Sequence, residues 1–240
     1  MRSIVSFDFI AAIPIDVPVV YFSTDVTPQM DGNVWKGLTV EIEHEDEDVP
    51  FKIINDAREV LRDVLTLVGV GIGLEPALGK VHVRPVSALA TEPTTSLAEI
   101  KGRAYIVRPL RAMPSESLVR KLRDDPKLRR QAEALNAARA ESDVVSRIRW
   151  SYMVLEQENL RKEGYPLNDY LYLRNGVSHP ELIGRNDKAY FQEELGVDFP
   201  DFKNPTHLAF LEAQAQKLLD EATRIVEALF CGDKFWQLAR

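Results

Sequence analysis

The chain has 240 residues, 45% of them apolar and 28% charged. That is ordinary for a soluble globular protein and long enough for one large or two small domains, each with its own core. A net charge of −7 argues against broad, sequence-independent binding to nucleic acid, which needs a basic surface. Cys231 is the single cysteine, which excludes an intrachain disulfide and a cysteine-based metal site.

No apolar run approaches the roughly 20 residues that span a bilayer. The longest, Val64 to Leu74, is interrupted by Gly69, Gly71 and Gly73. The start, Met1-Arg2-Ser3, is followed by alternating apolar and acidic residues and lacks the apolar core of a signal peptide. The expectation is a cytoplasmic protein with no membrane partner.

In chain order, the first half reads as strands. Ser3 to Ala12, Pro18 to Thr24, Gly37 to His44, Lys80 to Leu89 and Arg103 to Pro109 are short, rich in β-branched or aromatic residues, and separated by Pro, Gly and Asp. One helix interrupts them: Ile53, Ala57, Val60, Leu61, Val64, Leu65 and Val68 recur at helical spacing, and the glycines at 69, 71 and 73 are expected to stop it. An antiparallel sheet packed on one helix gives a small α+β unit over residues 1–112. The acidic stretch from Glu41 to Asp48 reads as an exposed strand end and turn. The glycines do not make a dinucleotide loop, because they close a helix instead of opening one, and no Gly-Lys-Ser/Thr follows.

After Met113-Pro114 the pattern becomes helical, and residues 113–240 are predicted to form an antiparallel helical bundle. Ser115, Leu118, Val119 and Leu122 begin one segment, which Pro126 interrupts before helix resumes from Lys127 to Ala140. Ser142 or Asp143 can cap the next helix, whose apolar face is expected to be Val144, Val145, Ile148, Tyr152, Met153 and Leu155. Gly164-Tyr165-Pro166 ends it, and a short segment from Asn168 to Ser178 follows. Residues 180–205 read as a polar connection. A last helix from Thr206 to Phe230 is predicted to turn Leu208, Leu211, Ala215, Leu218, Leu219, Ala222, Ile225, Val226 and Leu229 to the core.

Charge is uneven. Residues 1–112 hold 11 Lys/Arg against 16 Asp/Glu, and residues 113–240 hold 19 against 21. Within the second half Arg120, Lys121, Arg123, Lys127, Arg129 and Arg130 face only Asp124 and Asp125. This is a local basic stripe, either a solvated helix face or a track for RNA. Arg147, Arg149 and Trp150 raise the same two readings. His44, His82 and His207 are isolated, and Glu156 and Glu158 lack the Glu-x-x-His pair of a di-iron bundle.

One segment concentrates chemistry: Tyr170-Leu171-Tyr172-Leu173-Arg174-Asn175-Gly176-Val177-Ser178-His179-Pro180. Arg174 and Asn175 sit late in a short helix, and His179 lies a turn further on a similar face. Pro180 disfavours helix at His179, so the helix is expected to end there, where the dipole favours an imidazolium. An arginine, an amide and a titratable imidazole therefore converge. A structural alternative is that Arg174 pairs with Glu156 and His179 only closes the helix.

The Arg-x4-His spacing, with a polar residue directly after the arginine, resembles the signature of the HEPN superfamily. The phrase Leu-Arg-Asn-Gly-Val-Ser-His-Pro is similar to bacterial members of MauJ-like and Apea-like type. The resemblance covers residues 113–240 and leaves 1–112 unplaced. It implies a HEPN-like bundle, a homodimer whose facing motifs form a cleft, and Arg174, Asn175 and His179 as its site. Many such proteins are metal-independent endoribonucleases, so the resemblance implies cleavage of single-stranded RNA by its own 2′-hydroxyl, with no cofactor. Others are non-catalytic modules that bind nucleotides or partners, and a regulatory partner protein is a further expectation. The MauJ-like label adds an accessory role in methylamine utilization.

Overall fold

The computed structural model describes residues 1–15, 26–45, 48–73, 75–86, 95–98, 116–158, 167–180 and 182–230. They fall into two compact units, Met1–Pro126 and Lys127–Cys231. The fold is α+β, an antiparallel sheet with helix in the first unit and helices alone in the second.

The sheet of the first unit contains β1 (Arg2–Pro14), β2 (Val26–Asp31), β3 (Val34–Glu43), β4 (Leu78–Pro85) and β5 (Thr95–Ala98). Their order is β2-β3-β1-β4-β5, all antiparallel. Strand β1 alternates strictly at first, burying Ser3, Val5, Phe7 and Phe9, the period of a half-buried strand. Its register against β3 then shifts between Asp8 and Ile13. At Gly37 the two backbones come so close that a Cβ would overlap the Phe7 carbonyl, so only glycine fits. Helix α1 (Pro50–Ile72) covers one face, placing Ile53, Ala57, Leu61, Val64 and Val68 against β1, β3 and β4.

The strand expected at 18–24 and the one expected at 103–109 lie outside the described residues. Strand β2 was not foreseen because Pro28 argues against a strand. It occupies the end of the sheet order, where a missing N–H costs little. It turns into β3 through Gly32-Asn33, with Gly32 at φ +57, the conformation a two-residue hairpin asks of its first position. A second correction concerns α1. Gly69 and Gly71 continue the helix, and only Gly73, left-handed at φ +90, ends it by donating its N–H to the Gly69 carbonyl. Helix α2 (Glu116–Asp124) belongs to this first compact unit, although its pattern reads with the bundle.

The second unit contains α3 (Pro126–Ala140), α4 (Val144–Glu156), α5 (Leu167–Ser178), α6 (Arg185–Leu195) and α7 (Pro205–Phe230). Helix α4 packs on α7, α5 on α4, and α6 on α5. The buried face of α7 is Leu211, Ala215, Leu218, Ala222, Ile225, Val226 and Phe230. Leu208, Leu219 and Leu229, expected inside, are half-buried at its edges. On α4 the expected face is rotated: Ser151 and Val154 are buried, while Val145 is half-buried and Met153 exposed. Helix α6 replaces part of the expected connection, capped by Gly196 at φ +71. Its Tyr190 stands edge-on to Phe191 and tilted against Tyr172 and Phe210, and burial pushes its phenol well above the usual range.

Asp143 caps α4 by accepting the Ser146 N–H at 2.7 Å, and this bond holds its carboxyl below the usual range. A group with a depressed folded pKa contributes stability above its unfolded pKa and loses it as pH falls through the folded value. Asp143→Ala is therefore expected to cost about 1 kcal/mol near neutral pH. The difference from wild type should shrink as pH falls below about 4, measured as urea midpoints across pH. A cost that does not change with pH would refute the carboxylate cap.

Candidate functional site

Helix α5 ends at Ser178, two residues before Pro180, and brings the Arg-Asn-His cluster to one helix end. The His179 N–H still donates to the Asn175 carbonyl at 2.9 Å, so the last turn is closed before the chain leaves it. The imidazole of His179 is exposed, while Arg174 and Asn175 are half-buried.

Arg174 is held from two sides. Its guanidinium lies 5.8 Å from the centre of the Tyr152 ring, within range of a cation–π contact. It also donates from Nη1 to Asn175 Oδ1 at 3.1 Å. The ion pair with Glu156 that the sequence allowed does not form: among the described residues no carboxylate lies within ion-pair distance of Arg174. Tyr152 is buried, which pushes its phenol upward, aided by Glu156 and opposed by the Arg174 charge.

Behind the arginine stands a polar chain that the sequence did not suggest. Asn175 Nδ2 donates to Asp187 Oδ1 at 3.1 Å, and the Gly184 N–H donates to Asp187 Oδ2 at 2.6 Å. Asp187 is only 7% exposed. Asp187 therefore caps α6 with one oxygen and fixes the site asparagine with the other. Asn175 consequently has both ends of its amide engaged within the protein, which makes it a support for Arg174.

A second arginine reaches the same end of α5. Arg149 donates from Nε to Ser178 Oγ at 2.9 Å and from Nη2 to the Ser178 carbonyl at 3.2 Å. Its charge is thus placed on the last carbonyls of α5, where the dipole favours a cation, next to His179. Arg147, singled out from sequence, points elsewhere and donates to the Glu141 carbonyl at 3.0 Å.

The basic stripe is distributed over both units. Arg120, Lys121 and Arg123 lie on α2, and Lys127, Arg129 and Arg130 on α3. Arg120 pairs with Glu116, Arg123 with the buried Asp63, and Lys127 with Glu158. The isolated histidines have structural partners as well. His44 meets Ser3 Oγ through Nε2 and the Glu45 carbonyl through Nδ1, and His207 Nδ1 accepts the Asp201 N–H.

Comparison with known protein families, with curated proteins and with solved structures finds no match for this chain.

The geometry of the site depends on Gly176. A Cβ at this position would overlap the ring of Phe191 on α6, so the glycine lets α5 and α6 approach at the level of Asn175 and Asp187. Gly176→Ala should cost about 1–3 kcal/mol through overpacking, read as a lower urea midpoint. The double variant with Phe191→Leu should recover part of the loss. A neutral Gly176→Ala would mean that the helices can separate freely.

Proposed function

We propose that the second unit, Lys127–Cys231, is a HEPN-like module whose Arg174 and His179 bind and cleave single-stranded RNA without a metal. The observation that carries this reading is the asymmetry of the pair: one fixed, half-buried guanidinium in the last turns of α5 and one exposed imidazole directly after its end. An immobilised arginine suits the phosphate, because charge on the phosphoryl oxygens rises in the transition state and a preorganised cation meets it without reorganisation. An exposed histidine suits proton transfer, because an imidazole can both accept and donate a proton and a substrate can reach it.

In the reaction the RNA 2′-oxygen attacks the adjacent phosphorus as its proton passes to a base, and the P–O5′ bond breaks as the leaving oxygen is protonated. The products are a 2′,3′-cyclic phosphate and a 5′-hydroxyl end. DNA lacks the attacking hydroxyl and is left intact. One neutral imidazole can take the first proton, and a second, protonated imidazole can supply the other. A homodimer with facing α5 ends provides both, together with two arginines. Arg149 adds positive charge at the same edge. Such an enzyme belongs in the cytoplasm, where RNA is its substrate and a partner protein can restrain it.

A second reading is a non-catalytic module that holds a nucleotide or another anionic ligand on the same residues. The net charge of −7 and the pairing of three stripe cations favour it.

The deciding experiment is incubation of purified protein with a mixed single-stranded RNA in EDTA, beside Arg174→Ala and His179→Ala. Expected are cyclic-phosphate ends from wild type, with each variant slower by about 10²–10⁴-fold. Intact RNA with all three folded proteins would overturn the catalytic reading. RNA retention by wild type alone, without cleavage, would establish the binding module.

A further inference from the structure

We propose that Asp187 is a positioning residue which sets the polarity of the Asn175 amide and, through it, the place of the Arg174 guanidinium. The inference rests on the reading of Arg174 as the phosphate-holding residue, and adds to that site a member from a different helix.

An asparagine amide has two chemically opposite ends of nearly the same size, so by shape alone it fits its site either way round. Only one orientation serves Arg174, whose guanidinium has donors and no acceptor and must meet the oxygen. Here Oδ1 faces Arg174 Nη1 at 3.1 Å and Nδ2 faces Asp187 Oδ1 at 3.1 Å. An ionised carboxylate accepts hydrogen bonds and cannot donate them, so Asp187 rejects the flipped amide. The reversed amide would set oxygen against oxygen at Asp187 and NH₂ against guanidinium at Arg174. Being 7% exposed, Asp187 has little water to substitute for these partners, which sharpens the choice.

Two further features keep Asp187 in place. Its Oδ2 is tied to the Gly184 N–H at 2.6 Å, within the first turn of α6. The fit of Phe191 against Gly176 sets α6 against α5 by shape, independently of charge. The polarity at 187 can therefore be changed while the helices stay packed. An asparagine at 187 can still accept the Gly184 N–H through its oxygen, but it then turns its NH₂ toward position 175.

The test compares wild type, Asp187→Asn, Asn175→Asp and the double variant Asp187→Asn/Asn175→Asp. The first substitution forces the Asn175 amide to flip, and the second sets two carboxylates against each other. In the double variant the acceptor-only group sits at 175, taking hydrogen bonds from Arg174 on one side and from the new amide on the other. The pair then carries the same net charge as in wild type.

Two readouts are needed. The first is NMR of the Arg174 Nη1–H group, whose exchange with water reports whether the guanidinium is held by Asn175. It should be slow in wild type and the double variant and fast in both single variants. The second is kcat/KM for RNA cleavage, expected to fall roughly tenfold to a hundredfold in each single variant. In the double variant it should return to within a few-fold of wild type. Slow exchange in all four proteins would overturn the proposal, as would single variants that the double variant does not rescue. If wild type cuts no RNA but the exchange pattern holds, the ribonuclease reading fails and the positioning role of Asp187 stands.

Discussion

Two helices can approach as closely as α5 and α6 do only if one of them contributes no side chain at the crossing, and Gly176 is that residue. The ring of Phe191 fills the space, fully buried, and the neighbouring positions on each helix are brought within hydrogen-bond reach. Asn175 is next to Gly176 in sequence, and Asp187 lies one turn before Phe191. Their contact at 3.1 Å follows from the glycine as much as from their own chemistry. The site arginine is thus fixed by a packing event on the helix face behind it.

The same logic divides the labour among the charged groups at the end of α5. Arg174 is partly withdrawn from water and supported by an aromatic face and an amide, the arrangement that holds a charge in one place. His179 is exposed and follows the last helical turn, which leaves its ring accessible. Arg149 spans from α4 to the terminal carbonyls of α5, so it also braces the helix end from which His179 projects. The end of one short helix therefore carries a fixed cation and an exposed imidazole, and α4 adds a second cation there.

Much of this was legible in the sequence, and the omissions have physical causes. The division into a β-rich α+β half and a helical half follows from strand-length apolar runs giving way to 3.6-residue periodicity. The Arg174–His179 cluster was visible because its members lie within six residues of each other. Helix α6 was missed because only Asp187 and Phe191 of its eleven residues are buried, which is too few apolar anchors to show a helical period. Asp187 was missed with it, being twelve residues from Asn175 in a stretch that read as linker. The α4 face was misjudged because Ser151, a hydroxyl residue, is completely buried while the apolar Met153 is exposed. Strand β2 was hidden by Pro28, which an edge position tolerates.

Net charge acts locally, because exposed charges separated by more than about 8 Å are largely screened at physiological ionic strength. Most of the excess acid, a net −5, lies in residues 1–112, against −2 for residues 113–240. Carboxylates also bear on a site according to their partners. Glu116, Asp63 and Glu158 each face a basic side chain, which reduces the field they project. Asp187 is buried and committed to two N–H donors, so its charge acts on Asn175 and the start of α6 more than on a ligand in solvent. The total of −7 therefore disfavours long-range steering of any polyanion toward the chain. It does not decide whether a phosphate already at the end of α5 is held, because that depends on Arg174, Arg149 and His179 at contact distance.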